Sequence, residues 1–201
     1  GSSTGAGFDR GACGTGALAR CCVTDWLSIT PGNAPLIVSI PHAGTVIPAD
    51  ISGLVSHDLA RRDADHHVDR LYAFAAETGA TIIHSRISRT VIDLNRDPSG
   101  QSLYPGQATT GLCPNTTFDG EPLYAAGTEP DVAEIARRRS VWFDPYHAAL
   151  RDEIARLRAL HPALVLYDAH SIRSHVPRLF LGELPQFNIG SYDGASCDPA
   201  L

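Results

Sequence analysis

Short apolar runs alternate with amphipathic stretches along the chain. Residues 35–40 (PLIVSI) and 163–168 (ALVLYD) are apolar and partly β-branched, which predicts two buried strands. Residues 80–84 (ATIIH) and 89–94 (RTVIDL) predict two more. Strands separated by helices indicate an α/β fold with a mostly parallel or mixed central sheet flanked by helices. Such sheets bind ligands at the carboxyl ends of their strands.

Two helical stretches are predicted between these strands. Over residues 66–78, apolar side chains recur at helical spacing, with Asp65 placed to cap the first turn and Gly79 to end the last. The second stretch starts after Thr128 and continues past Pro145 with an apolar stripe. The spacing therefore places both helices against the sheet through one apolar face each.

The remaining segments divide the chain into an extension and a single domain. Residues 1–22 are rich in Gly, Ser and Ala, and we expect them to be a flexible N-terminal extension. Residues 23–201 are predicted to form one domain, as expected for a chain of 201 residues. Within it, residues 95–128 are rich in Pro, Gly, Asn and Thr, and loops of this length are usually functional.

Composition excludes several classes of function. The formal net charge of −6 disfavours a nucleic-acid partner. No apolar run approaches the roughly 18 residues of a membrane helix, so we expect no membrane partner. All 16 basic residues are arginine, which excludes a lysine Schiff base. Five irregularly spaced cysteines predict neither a disulfide framework nor a structural zinc site, and a reducing cytoplasm is expected.

Two histidines come just after predicted strands, His42 after residues 35–40 and His170 after residues 163–168. Both are therefore expected at the ligand-binding edge of the sheet. Two histidines and one carboxylate form an open three-ligand set for catalytic zinc. The alternative is that each histidine is a polar residue at a strand end, bonded to backbone. Further candidate ligands lie next to His170 or at the start of the first predicted helix: Asp168, Asp63, Asp65, His66 and His67.

A second group of candidates combines arginine with an amide. Arg89 lies on the predicted strand 89–94, and Asn95 and Arg96 follow it at the same edge of the sheet. An arginine binds a carboxylate through two parallel hydrogen bonds, and an asparagine amide adds another donor. In an acidic protein, such a group fits an anionic substrate. The alternative is a structural ion pair, such as Arg89 with Asp93.

Other catalytic signatures are weak. Arg178, which follows Pro177, is a candidate for a second carboxylate clamp. The chain contains no G-x-S-x-G, G-x-G-x-x-G or Walker A motif. Ser171 lies beside His170, but adjacency in sequence does not make a catalytic triad.

Five segments, in a fixed order along the sequence, show a resemblance to a known family. They are SIPHAG at 39–44, DADHHVDRLY at 63–72, DLNRDPSG at 93–100, LYPGQ at 103–107 and DAHSIR at 168–173. Together they resemble the N-formylglutamate amidohydrolase family, and the similarity runs from about Val23 to Leu201.

The resemblance implies a zinc-carboxypeptidase-like α/β fold that is incomplete at its C-terminus here. It implies metal-dependent hydrolysis of N-formyl-L-glutamate to formate and L-glutamate in histidine degradation, with zinc or another divalent metal as cofactor. Two alternatives stay open: a related metallo-amidohydrolase acting on another N-acyl amino acid, and a non-catalytic ligand-binding fragment.

The resemblance also implies roles for individual residues. Asn95 and Arg96 are expected to hold the substrate carboxylate. Arg89 lies near the position of an arginine that polarises the scissile carbonyl in the wider superfamily.

The metal ligands implied by the resemblance depart from the usual pattern in one place. The superfamily places a glutamate three residues after the first histidine, but Thr45 stands at that position after His42. We therefore expect the ligands to be His42, His170 and a carboxylate from elsewhere, with Asp65 as the choice. The alternatives for this third ligand are Asp63, His67 and Asp168.

Overall fold

The computed structural model describes residues 22–23, 25–99, 111–178, 181–191 and 194–198, with only the backbone given for 22–23. The expected flexibility of residues 1–22 therefore concerns residues that, apart from Cys22, lie outside the described part of the chain. The LYPGQ motif at 103–107 lies outside it as well.

A mixed sheet forms the centre of the described fold, which confirms the predicted α/β class. Its five strands lie in the order β1-β2-β4-β3-β5. β3 is parallel to both β4 and β5, whereas β2 is antiparallel to β4 and β1 is antiparallel to β2. The strands are β1 (Cys22–Val23), β2 (Leu27–Thr30), β3 (Leu36–Ile40), β4 (Thr81–Ser85) and β5 (Val165–Asp168).

The helices cover both faces of this sheet. In the part of the chain that the structure describes, none is long and apolar enough to cross a membrane. Leu157 packs with Ile37 and Ile83 on one face, and Val68 packs with Ile40 on the other. The helical elements are α1 (His57–Arg61), α2 (Val68–Leu71), a 3-10 helix (Ala73–Thr78), α3 (Val132–Arg138), a π-helical segment (Arg139–Phe143) and α4 (Asp144–Arg158).

The helix predicted over residues 66–78 is shorter and broken. It consists of α2 and the 3-10 helix, and Gly79 ends it with a φ of 78°, as predicted. The predicted N-cap is wrong: His67 occupies the cap position with a φ of 67°. The Asp65 carboxylate makes no cap. It bonds the His170 ring and the amide of Ser171 instead.

Residues 89–94 are not the predicted strand. The amide of Val91 donates to the carbonyl of Ser88 at 2.9 Å, which closes a turn. Val91 is fully buried, so the run is apolar because it enters the core, and an apolar run alone does not distinguish a buried turn from a strand. The turn brings the side chains of Arg89 and Asp93 into contact.

β5 forms where predicted, but it is not the buried strand that its apolar sequence indicates. It is an edge strand that pairs with β3, and Val165, Leu166 and Tyr167 are 40%, 44% and 41% exposed. Nothing in the described part of the chain covers its outer edge.

Gly44 lies where the segment after β3 crosses the backbone at Arg86, and this contact leaves no room for a side chain. A Cβ atom there would overlap the Arg86 carbonyl group and crowd the Ile87 carbonyl oxygen. We expect Gly44→Ala to lower the free energy of unfolding by at least ~2 kcal/mol, measured by urea denaturation. Gly190→Ala, at a position with nothing within 4 Å, should change it little, and equal losses would contradict this packing argument.

Candidate active site

The three expected metal ligands meet at one edge of the sheet. His42 follows β3 and His170 follows the parallel neighbouring strand β5, so the carboxyl ends of the two strands bring them together. Asp65 joins them from the segment before α2. One possible ligand atom from each residue lies within 4.8 Å of the other two. These residues therefore form a group that could hold a metal ion.

Asp65 stands between the two imidazoles. Its Oδ2 atom lies 3.0 Å from Nδ1 of His170 and 3.9 Å from Nδ1 of His42. The amide of Ser171 donates to the same oxygen at 3.1 Å. Nδ1 of His42 is buried and has no hydrogen-bond partner among the described residues. Leaving such an atom unpaired costs free energy, and a bound cation would satisfy it.

Each histidine has a carboxylate at its other ring nitrogen. Nε2 of His42 lies 2.7 Å from Oδ1 of Asp93, and Nε2 of His170 lies 2.9 Å from Oδ2 of Asp168. A carboxylate only accepts hydrogen bonds, so each Nε2 donates to it. Both Nδ1 atoms face Asp65, and by the same rule Nδ1 of His170 donates to the Asp65 carboxylate, whereas Nδ1 of His42 makes no hydrogen bond to the described residues. Histidines that bind metals are commonly oriented in this way by a carboxylate, so the donor set fits a divalent cation.

The pKa values reflect this distribution of charge. Burial and the Arg89 guanidinium lower the pKa of His42, despite its bond to Asp93. Burial alone would also lower the pKa of His170, but its hydrogen bonds to Asp168 and Asp65 outweigh burial and raise it to about 9. The region around Asp65 and Asp168 thus favours positive charge.

Arg89 lies beside this cluster and is almost fully buried. Its Nη2 donates to Oδ2 of Asp93 at 2.6 Å, and its Nη1 lies 3.8 Å from Oδ1 of Asp65. Its guanidinium carbon lies 4.7 Å from the centre of the Phe118 ring. The structural ion pair of Arg89 with Asp93 is therefore present, yet Arg89 also lines the cleft.

An open cleft of about 620 Å³ contains the cluster and two of the predicted substrate-binding residues. Asn95 lies at its wall, with Nδ2 3.0 Å from Nε2 of His170. Arg96 also lines it, and Nε of Arg96 lies 3.5 Å from Oδ2 of Asp93. The cleft thus offers guanidinium and amide donors next to the candidate metal ligands.

The other candidates lie elsewhere. Arg178 does not line the cleft, since it donates to the Thr117 carbonyl oxygen at 3.1 Å and packs against Gly120. Oδ2 of Asp63 accepts from the amide of Phe118 at 2.7 Å. His67 caps α2 and is exposed.

Three features of the cleft are not predicted by the sequence. Asp93 is expected there only as an ion-pair partner of Arg89, but it also bonds Nε2 of His42. Phe118, which packs against Arg89, lies in the long loop that was expected to be functional, but no spacing singled it out. Tyr72 and Tyr167 line the cleft and share a hydrogen bond of 2.8 Å between their hydroxyl groups.

The fold and the site together define an α/β protein with a candidate divalent-metal centre beside an arginine-lined cleft. The sequence profile described as N-formylglutamate amidohydrolase matches residues 34–201, and the chain belongs to this family. The resemblance inferred from the sequence motifs is thereby confirmed.

Two curated relatives support the family assignment. N-formylglutamate deformylase from Pseudomonas aeruginosa is 50% identical over 176 residues, and the protein of the same name from Pseudomonas putida is 47% identical over the same length. Each alignment covers 87% of this chain, and the chain spans 66% of the length of these relatives.

Solved structures support the fold. An N-formylglutamate amidohydrolase from Ralstonia eutropha JMP134 matches with a TM-score of 0.73 and 26% identity, covering 88% of this chain and 70% of that structure. The Agrobacterium tumefaciens gene product Atu2144 matches with a TM-score of 0.58 and 23% identity, covering 76% of this chain and 58% of that structure. The second match bears on the fold alone.

Proposed function

We propose that this protein hydrolyses N-formyl-L-glutamate to formate and L-glutamate, with zinc held by His42, Asp65 and His170. The observation that carries the proposal is the convergence of these three residues next to Arg89 and Arg96. The name of the curated relatives, N-formylglutamate deformylase, supports the choice of substrate. We place the reaction in histidine degradation, as the family resemblance implies.

The donor set suits zinc, because two imidazole nitrogens and one carboxylate leave a coordination position open. Zinc bound there would supply Lewis-acid chemistry, which polarises a carbonyl group and lowers the pKa of water. Asp93 and Asp168 serve the site by holding Nε2 of His42 and His170, so that the two Nδ1 atoms stay turned to Asp65.

Arg89 is placed to stabilise negative charge on the formyl oxygen during attack. Its guanidinium is held by Asp93 on one side and by the Phe118 ring on another, so it is preorganised before substrate binds. Donors fixed in advance contribute more to catalysis than mobile ones, because they need not reorganise as charge develops. Asn95 and Arg96 bind a glutamate carboxylate through their amide and guanidinium donors.

We also infer a cytoplasmic setting. The thiols of Cys113 and Cys197 are free, which fits a reducing compartment. Burial raises the pKa of Cys113 to about 11, so this thiol is not an alternative nucleophile.

The proposal is tested by measuring formate release from the zinc-loaded chain. We expect N-formyl-L-glutamate to be turned over faster than N-formyl-L-aspartate, as the name of the curated relatives, N-formylglutamate deformylase, suggests. Treatment with a chelator should abolish formate release, and added zinc should restore it.

Each rival predicts a different outcome. Faster release of acetate from N-acetyl-L-aspartate than of formate from N-formyl-L-glutamate would indicate an amidohydrolase that acts on another N-acyl amino acid. Binding of zinc and glutamate without formate release would indicate a ligand-binding fragment. Turnover that survives complete removal of metal would contradict the metal role.

A further inference from the structure

A series of hydrogen bonds connects two buried hydroxyl groups, through a carboxylate, to the side chain of His170. The hydroxyl of Tyr146, on α4, lies 2.8 Å from Oγ of Ser39, on β3. Oγ of Ser39 donates to Oδ1 of Asp168 at 2.6 Å, and Oδ2 of Asp168 lies 2.9 Å from Nε2 of His170. Tyr146 and Ser39 are 1% and 3% exposed, so the hydrogen bond between these two hydroxyl groups is buried.

The direction of every hydrogen bond in this series follows from the Asp168 carboxylate. A carboxylate oxygen only accepts, so Ser39 uses its single proton on Asp168. Tyr146 must then donate to Oγ of Ser39, and His170 must donate from Nε2 to the other oxygen of Asp168. The Asn95 amide also lies next to Nε2 of His170. It can accept from this nitrogen when the amide group is flipped, so that Oδ1 and not Nδ2 faces the ring.

Close packing alone does not hold the side chains of His170 and Asp168 in place. The side chains of His170 and Asp168 are 32% and 37% exposed, and Asp168 ends the edge strand β5. Ser39 and Tyr146, in contrast, lie between the central strand β3 and α4, where side chains are fixed by close packing. The Asp168 carboxylate therefore connects the well-packed Ser39 and Tyr146 to the more exposed His170.

We propose that Ser39 and Tyr146 are positioning residues for metal binding: they fix the Asp168 carboxylate, which holds Nε2 of His170 and so keeps Nδ1 turned to Asp65, where it can serve as a ligand. This inference rests on the proposed function, because it assumes that His170 binds the cation. A merely structural role for the two hydroxyl groups would stabilise the fold without changing the affinity for metal.

The test measures the zinc dissociation constant of the full chain by competition with a chelator at fixed pH. We expect Ser39→Ala to weaken zinc binding by ~10-fold, the lower end of the range for removal of a residue bonded directly to a metal ligand, because Ser39 acts through Asp168. Tyr146→Phe should have a smaller effect in the same direction, because Ser39 can still donate to Asp168. Ser39→Thr, which keeps the hydroxyl group, should restore most of the affinity.

Matched controls separate positioning from stability. Ser85→Ala removes a buried hydroxyl from the neighbouring strand β4, where its partner is the amide of Ile87 and not the site. Tyr124→Phe removes a buried tyrosine hydroxyl that accepts from Arg138. Both controls can lower the melting temperature of the metal-free chain, but neither should change the zinc dissociation constant.

The outcomes are distinguishable. Wild-type zinc affinity in Ser39→Ala, or an equal loss in Ser85→Ala, would overturn this inference alone. A wild-type chain that binds no zinc would overturn the proposed function and this inference with it. Weaker binding in Ser39→Ala, rescue by Ser39→Thr and unchanged binding in both controls would establish it.

Discussion

Replacing His170 with alanine is expected to lower the affinity for zinc by at least ~100-fold and formate release by ~1000-fold or more. The variant removes one of the three proposed ligands and also leaves Asp65 and Asp168 without their shared hydrogen-bond partner. Zinc content after dialysis and formate release under saturating substrate measure the two effects.

His175→Ala is the matched control. His175 lies five residues further on, is exposed and contacts Ser174 rather than the cluster. We expect this variant to keep both zinc and activity. Undiminished turnover in His170→Ala would reject the metal centre, whatever the result for His175.

Arg89→Lys is expected to lower kcat for N-formyl-L-glutamate by ~100–1000-fold while changing KM by only a few-fold. Lysine keeps one positive charge beside Asp93, but its ammonium group cannot bond Asp93 and the formyl oxygen in the way a planar guanidinium can. Steady-state kinetics of formate release separate the two constants.

Two further variants sharpen this test. Arg86→Lys changes an exposed arginine that does not line the cleft and should leave kcat unchanged. Arg89→Met should also destabilise the fold by about 1–3 kcal/mol, because buried Asp93 loses its closest guanidinium partner and keeps only His42 and Arg96 beside its carboxylate. A rise in KM with unchanged kcat in Arg89→Lys would instead assign Arg89 to binding the substrate carboxylate.

The histidine pair could be predicted because it depends on simple topology. His42 and His170 each follow a short apolar run, and parallel neighbours in a sheet end at the same edge. β3 and β5 prove to be such neighbours. The choice of Asp65 came from the family resemblance, since the residues alone left several carboxylates open.

The residues around the histidines were harder to predict. Residues 89–94 combine apolar and β-branched side chains, which are equally suited to a strand and to a buried turn, and only the tertiary structure decides between them. The turn is what brings Arg89 and Asp93 together. Asp65 was expected to cap a helix, but a carboxylate near a helix start can serve a cap or a distant histidine, and sequence spacing does not distinguish the two.

The position of His170 after an edge strand would link binding of a metal ion to local stability. Within the described sheet, β5 has one neighbouring strand and exposed apolar side chains, so it is among the parts of that sheet most easily opened. A cation shared with His42 and Asp65 would tie this strand to the end of β3 and to the start of α2. Amide hydrogen exchange in β5 should therefore slow as zinc concentration rises, by a factor set by the ratio of that concentration to the dissociation constant.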